Sequence, residues 1–597
     1  MKISHVFGKD QISKYVSEDT FFLLNNNFGD FLLLSSDNSI KSRYEGLNYL
    51  MKNGIYKTIS SIHLDTQENV TEVINNFNFI VRKYETIQEK FYLPPIEGTL
   101  VYELDKKNSI FLDLDFRYAY ENPEFGRVYN ISKEKDCIII EYLQKDQNEK
   151  NNLKLYLAIY GSDDYSEINN WIKQEYSLDK ERGSWPWEKH IFVALKLRGK
   201  RFSFAVSEDK NNAIKRTKNA HLGFLTRKKI VFEKSNDIEK SFALYATKNS
   251  LSNLIVDIKD KLGVYAGIPW FFQFWTRDEV ISAKAISIIN SDHENLIKQI
   301  LLNKLKYLQA DGKLLNIIED KNSNSSSDAT GWLFFRLMQM KLSEKERLIV
   351  KTALIKSLNA QLKNSAQNDL AYSAALGTWM DTSSDPEKKI DTRDGFPIEI
   401  QALRLANYAL AYELTKNQKW KNLENRLKQI VREKYWNGKY LHDNVDSLGN
   451  HDSNIRPNIF IAYYVYPNLL TNYEWEKCFD NILPDLWLNW GGFSTIDIHS
   501  SLFKNEHSGE NPISYHRGDS WFWINNLAAI CLYRINKKKY DYYIKKILNA
   551  SINDILWKGI IGNASELSSA KEQKAQGSLC QAWSNAMFIE LIEEFKK

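Results

Sequence analysis

Cysteine is scarce in this chain. The four present, Cys137, Cys478, Cys531 and Cys580, stand far apart, with no C-x-x-C spacing. That argues against a disulfide framework or a cysteine-ligated zinc site and fits a reducing, cytoplasmic setting. No window approaches 18 uninterrupted apolar residues, so nothing reads as spanning a membrane. The opening residues Met1–Lys2–Ile3–Ser4–His5 lack the apolar stretch of a secretion signal. A dominant charge is missing too: 80 Lys and Arg stand against 75 Asp and Glu, a net +5, with the lysines scattered along helical segments. Neither nucleic acid nor an anionic membrane is therefore expected as a partner. Ten histidines with no second His or Cys at ligand spacing offer no metal site.

Aromatic residues, by contrast, are plentiful: 16 Trp, 32 Tyr and 30 Phe in 597 residues. Some of these rings fill core, and flat side chains also stack on the apolar faces of pyranoses. A chain of this length exceeds one ordinary domain. Its first part favours strands. Ile110, Leu112, Leu114, Phe116 and Tyr118 alternate with Phe111, Asp113, Asp115 and Arg117, the period-two pattern of a strand. Short apolar runs follow at Cys137–Tyr142, Leu155–Tyr160, Ile191–Leu197 and Phe202–Val206, as in a sandwich. Asn25–Gly29 and Ser42–Leu47 read as tight turns, and no paired acids or phosphate loop appear in this part. Past about residue 236 the period becomes helical, as with Leu423, Leu427, Ile430 and Val431. The expected division is a β-sandwich-like domain at 1–235, a helical connector at 236–262 and a helical domain at 263–597.

Six unusual polar clusters punctuate the helical part. One anchor from each gives Asp278, Asp328, Asp381, Arg456, His516 and Glu566. Two helices with their loops need roughly 45–60 residues, so each cluster falls about once per helical hairpin. Six hairpins in a ring would gather all six loops at one end. An (α/α)6 barrel is the expectation, with a solenoid of hairpins as the rival.

In the first cluster, Trp270 belongs to a run of aromatics too dense to be buried on one helix face. Beside them, Arg277 and Asp278 either grip adjacent sugar hydroxyls or form a buried ion pair capping a helix. Asp328 is placed to cap the next helix. Asp381 follows Trp379, an apolar wall expected to keep a carboxyl protonated. Glu399 is either a cleft residue or a first-turn acid near a helix dipole. His516 reads as a substrate contact rather than a metal ligand, and Trp521 stands in the same hydrogen-bonding and stacking cluster. The sixth cluster is Gly562–Asn563–Ala564–Ser565–Glu566–Leu567.

Taken in order, Ala266–Asp278, Thr378–Asp381, Gly395–Leu403, Arg456–Asn458, Tyr515–Trp523, Ser565–Glu566 and Gln581–Ser584 resemble the signature of the amylo-α-1,6-glucosidase part of glycogen debranching enzymes, in the short archaeal and bacterial form. The resemblance implies a catalytic acid at Asp381 and a base at Glu566. It implies substrate-cleft positions at Trp270, Arg277, Asp278, Glu399, His516 and Trp521, and Asp328 and Trp379 are added from their clusters. It further implies inversion at the anomeric carbon, with branched α-glucan as substrate and no metal or organic cofactor. Two local departures, Arg404–Asn407 and Phe522 between Trp521 and Trp523, bear on the outer subsites. The first 236 residues have no room for a glucanotransferase domain. A glucoamylase-like α-1,4-glucosidase and a non-catalytic α-glucan-binding protein are the alternatives.

Overall fold

The computed structural model describes residues 2–8, 11–51, 54–145, 153–223, 230–258, 261–320, 322–364, 366–367, 369–385 and 391–597. The chain divides into two compact units. The first comprises Met1–Asn249, Asn253–Leu262 and Ile555–Gly562; the second comprises Ser250–Ser252, Gly263–Asp554 and Asn563–Lys597.

The first unit is built on one 15-stranded sheet. Its continuity comes from two 20-residue strands, β1 (Thr99–Tyr118) and β2 (Glu188–Ser207), which pair with each other antiparallel along most of their length. The start of β1 pairs with Gln88–Tyr92, while its latter half pairs with Gly54–Leu64. β2 pairs first with Asp164–Glu175 and then with Leu153–Tyr160. Register shifts after Glu103 and after Leu112 interrupt this pairing, as bulges that bend a sheet do. The two apolar runs expected as separate strands at 191–197 and 202–206 are therefore one bent strand. Ile110, Leu112, Leu114 and Phe116 are fully buried in the core of the unit, together with Leu32, Leu47, Ile80, Phe91 and Ile140. The polar side of the same strand is also shut away from water: Asp113, Asp115 and Arg117 are buried. The expected turns form: Asn26 Oδ1 accepts from the backbone N–H of Phe28 and of Asp30, and Gly29 takes φ +83°.

A helix at Ile238–Asn253 gives way to two short paired strands, Ile255–Ile258 and Lys261–Val264. The connector expected at 236–262 is therefore helical only as far as Asn253. The β-branched Ile255, Val256 and Ile258 suit the strand that replaces it.

The second unit is an (α/α)6 barrel. Six inner helices, α1 (Thr276–Ser287), α2 (Ala329–Leu337), α3 (Ile398–Thr415), α4 (Asn458–Val465), α5 (Phe522–Asn536) and α6 (Ala582–Glu594), each pack on the next, and α6 returns to α1. That return closes the ring and removes the solenoid. Inner helices are buried over most of their surface, polar residues included, and all eight residues of α4 are buried. An outer helix such as Gln418–Tyr435 buries one stripe, Trp420, Glu424, Leu427, Val431 and Tyr435, and turns charge outward. Among the described residues no helix is long and apolar enough to cross a membrane.

Candidate active site

All six clusters precede or open an inner helix, four of them within a few residues of its N-terminus, while Asp381 and Glu566 lie 17 (398 − 381) and 16 (582 − 566) residues upstream of α3 and α6. The six N-termini thus face one end of the barrel, where unsatisfied N–H groups and aligned dipoles favour negative charge. Two-residue ladders tie the loops together: Gly267–Ile268 pairs with Cys580–Gln581, and Ser520–Trp521 pairs with Leu567–Ser568. The second ladder brings the His516 cluster to Glu566; the first brings the Trp270 cluster to Gln581.

Asp381 is the carboxylate left open, with 26% of its side chain exposed. Arg277 Nη1 donates to its Oδ2 at 3.3 Å, and His516 Nε2 stands 3.5 Å from Oδ1. Burial pushes the Asp381 carboxyl up, but the hydrogen bond from His516 and the charge of Arg277 outweigh it and hold it below its ordinary value. This overturns the expectation that an apolar wall keeps it protonated. Trp379 does not face the cleft at all. It is 1% exposed, its Nε1 donates to Asn458 Oδ1 at 2.6 Å, and it meets His516, Trp521 and Trp523 edge-on. It is a support beneath Asp381.

Glu566 is buried. Its Oε2 accepts from the Ser578 backbone N–H at 2.7 Å, and Oε1 accepts from the Tyr515 hydroxyl. Gly577 lies against it at φ +62°, where a Cβ would come within 2.2 Å of Oε2. Asp278 joins the two acids electrically. Its Oδ1 accepts from Gln581 Nε2 at 2.8 Å, and burial, reinforced by the negative charge of Glu566 and Asp381, pushes it up to about 8 against the pull of Arg277. The Tyr515 hydroxyl is likewise pushed well up, by burial and then by Glu566, with further contributions from Asp381 and Asp278. Asp278, Asp381 and Glu566 therefore share one electrostatic environment.

Arg277 is not free to grip a sugar. Its Nε pairs with Asp328, its Nη1 with Asp381 and its Nη2 with Asn316 Oδ1. Of the two readings of this residue the buried ion pair holds, but its partners are Asp328 and Asp381, not Asp278. Asp328 occupies the cap position of α2, yet its side chain caps nothing; it accepts from Arg277 and from Ser326 Oγ. A guanidinium in reach is a stronger partner than a backbone N–H. Glu399 is also consumed: Arg393 donates to both its oxygens at 2.6 and 2.8 Å and also reaches Asp443. Its carboxylate is 1% exposed, so it braces the site from behind.

His516 is buried, stacks on Trp521 at 5.2 Å with 11° between the rings, and burial holds it down to about 4. It is a neutral partner to Asp381 rather than an open sugar contact, and buried Trp521 backs it. Trp270 is buried at φ +82°, whereas Phe271, Phe274 and Trp275 from the same run are half-buried. Residues that sequence reasoning passed over are Tyr515, Asn316, Arg393, Asp443 and Asp391. Asp391 takes Arg456 and Arg517, each at 2.7 Å, and Arg517 also donates to the Thr382 carbonyl. Only Tyr515 had a local signal, its place beside His516. The one grouping with metal-ligand spacing among the described residues, Asp485, Asp497 and His499, includes none of the six anchors.

The helical barrel that follows the sheet-rich region in sequence is of the glycoside hydrolase type. Residues 240–590 match the amylo-alpha-1,6-glucosidase family, and the chain belongs to that family. A bacterial glucoamylase complexed with acarbose aligns over 99% of this chain and 96% of its own, with a TM-score of 0.60 at 11% identity. That likeness is one of fold. A mannosylglycerate hydrolase from Thermus thermophilus in complex with glucose covers 60% of this chain and all of its own at 12% identity, TM-score 0.45. No curated protein sequence matches the chain.

Proposed function

We propose that the protein hydrolyses α-1,6 branch linkages of glycogen or a related α-glucan, inverting the anomeric carbon. In this reading Asp381 protonates the departing glycosidic oxygen and Glu566 draws a proton from the water that attacks the opposite face of the ring. The observation that carries it is the convergence of Asp381 and Glu566, 185 positions apart in sequence (566 − 381), on one group of loops where both act on Asp278 and Tyr515. Family membership supplies the substrate class. An inverting pair leaves room for a water, with carboxyls about 6.5–9.5 Å apart.

Before substrate arrives Asp381 is ionised, so its proton must be gained in the complex. Burial is already the largest single influence on it, and a sugar ring closing over its exposed quarter strengthens that influence. Asp278, pushed up to about 8 by burial and by Glu566 and Asp381, resists becoming a further negative charge in the same space. The hydrogen bonds from Tyr515 and Ser578 fix the Glu566 carboxylate as the base.

The test is a dextrin bearing single α-1,6 glucose stubs, run beside pullulan and amylose, with the anomeric state of the released sugar followed by NMR. Release of β-glucose from the stubbed dextrin with little from amylose is the expected outcome. Faster release from amylose would make the protein an α-1,4-glucosidase, and α-glucose as first product would remove the inverting pair. Binding without release would leave a glucan-binding protein.

A further inference from the structure

The sheet-rich unit buries a group of charges that the proposed reaction does not use. Asp115, in β1, is fully buried and has four cationic side chains around it. Arg117 Nε donates to its Oδ2 at 2.8 Å, and Lys57 Nζ lies 3.7 Å from the same atom. On the other side Arg127 and Lys189 Nζ stand 3.3 and 3.5 Å from Oδ1. None of the four cations has more than 2% of its side chain exposed.

Neighbouring acids do not balance them. Glu45 accepts from the backbone N–H of Ser35, Lys41 and Ser42, and Asp179 takes Ser42 and Arg43. Arg117 spends its other donors on the carbonyls of Arg43, Ala119 and Glu121, and Lys57 gives to the Arg43 carbonyl. Three buried groups of the cluster find no hydrogen-bond partner: Lys189 Nζ, Arg127 Nε and the Tyr176 hydroxyl. Buried charge of one sign in this excess, with its donors unanswered, calls for a counter-charge. Burial, with the repulsion of Arg117, Arg127 and Lys57, already drives Lys189 down to about 6 despite Asp115.

We propose that this cluster is a binding site for a compact inorganic anion of the halide class, held chiefly by Lys189 Nζ and Arg127 Nε, with the Tyr176 hydroxyl as a third donor. The size follows from the enclosure. Trp171 lies over the Arg127 guanidinium, 4.6 Å from ring centre to charge, and the cations behind it are closed off from solvent. Cations this enclosed, none more than 2% exposed, suit a single-atom anion better than a phosphate ester.

The full-length protein should show a thermal midpoint that climbs to saturation when sodium chloride or bromide replaces sodium gluconate at constant ionic strength. Crystals grown in bromide should give an anomalous peak beside Lys189 Nζ and Arg127 Nε. Lys189→Met should abolish the chloride response without lowering the midpoint in gluconate, because it removes a buried amine that has no hydrogen-bond partner and that burial already holds below its ordinary value. If that variant does not fold, Tyr176→Phe keeps every charge and should weaken the response severalfold. Equal midpoints in chloride and gluconate would overturn the site. So would water in place of bromide, or a bromide peak in crystals with no shift in solution.

Discussion

At the C-terminal end of the inner ring, Arg336 of α2 donates to Glu590 of α6 at 2.8 Å. The Tyr464 hydroxyl of α4 and Lys284 of α1 close on the same carboxylate. Arg336 and Glu590 are both wholly buried, and two cations and a hydroxyl from three helices hold the one carboxylate of the fourth. At the N-terminal end Arg277 is shared between Asp328 and Asp381, while Asp278 accepts from Gln581 and Glu566 accepts from the Ser578 backbone. One end closes around its carboxylate and serves as a staple. The other leaves Asp381 part-open to solvent and displaces Asp381 and Asp278 in opposite directions from their ordinary values. Displacement of that kind provides groups able to exchange protons, the mark of a working site.

The comparison breaks most sharply at Asp381. Asp381→Asn should lower kcat roughly 10²–10⁴-fold with little change in KM or in the thermal midpoint, and Glu566→Gln should do the same. Retained turnover in either would remove that residue from the mechanism. The staple should answer the other way. Arg336→Met leaves Glu590 buried without its main partner, and denaturant unfolding should show a loss of about 3–5 kcal/mol, with KM unchanged in whatever protein remains folded. The sign with pH follows from Glu590. Its carboxyl sits below the ordinary value, because Arg336 and Lys284 outweigh the burial that raises it. Its contribution is therefore full above the ordinary glutamate range and is lost as pH falls through the folded value. In Arg336→Met that acid sensitivity should shrink.

A subtler test concerns Arg277. Removing its charge by Arg277→Gln should let the Asp381 carboxyl rise. The alkaline limb of the kcat/KM profile, which reports the free enzyme's acid, should then move to higher pH. An unmoved limb would mean that another group supplies the proton. The smallest effect belongs to neither end: Thr471 and Glu474 form a reciprocal cap on the outer helix Asn472–Leu486. Thr471→Ala should cost about 1 kcal/mol in unfolding and leave the pH profile untouched.

Much of the layout was legible along the chain because helix periodicity and loop chemistry are local. The six anchors fell at intervals of one helical hairpin, and each marks the approach to an inner helix. The longest interval, from Asp381 to Arg456, arises because Asp381 stands well upstream of α3 in a long connecting segment. The partnerships were not legible. Arg277 next to Asp278 reads as a pair, yet a helical turn points adjacent side chains apart, so Arg277 meets Asp328 and Asp381 while Asp278 meets Gln581. Glu399 looked available because its partner Arg393 stands just outside the helix that carries it. Trp379 looked like a wall because nothing local shows that Asn458 and three aromatic rings enclose it.

From its own residues the chain determined two regions, one of period two and one of period 3.6, and which loops would hold the unusual polar groups, since each depends on neighbours within a few positions. Only the closed ring decided which carboxyl keeps its proton. That outcome is set by burial and by charges tens to hundreds of residues away, brought within a few ångströms by packing alone.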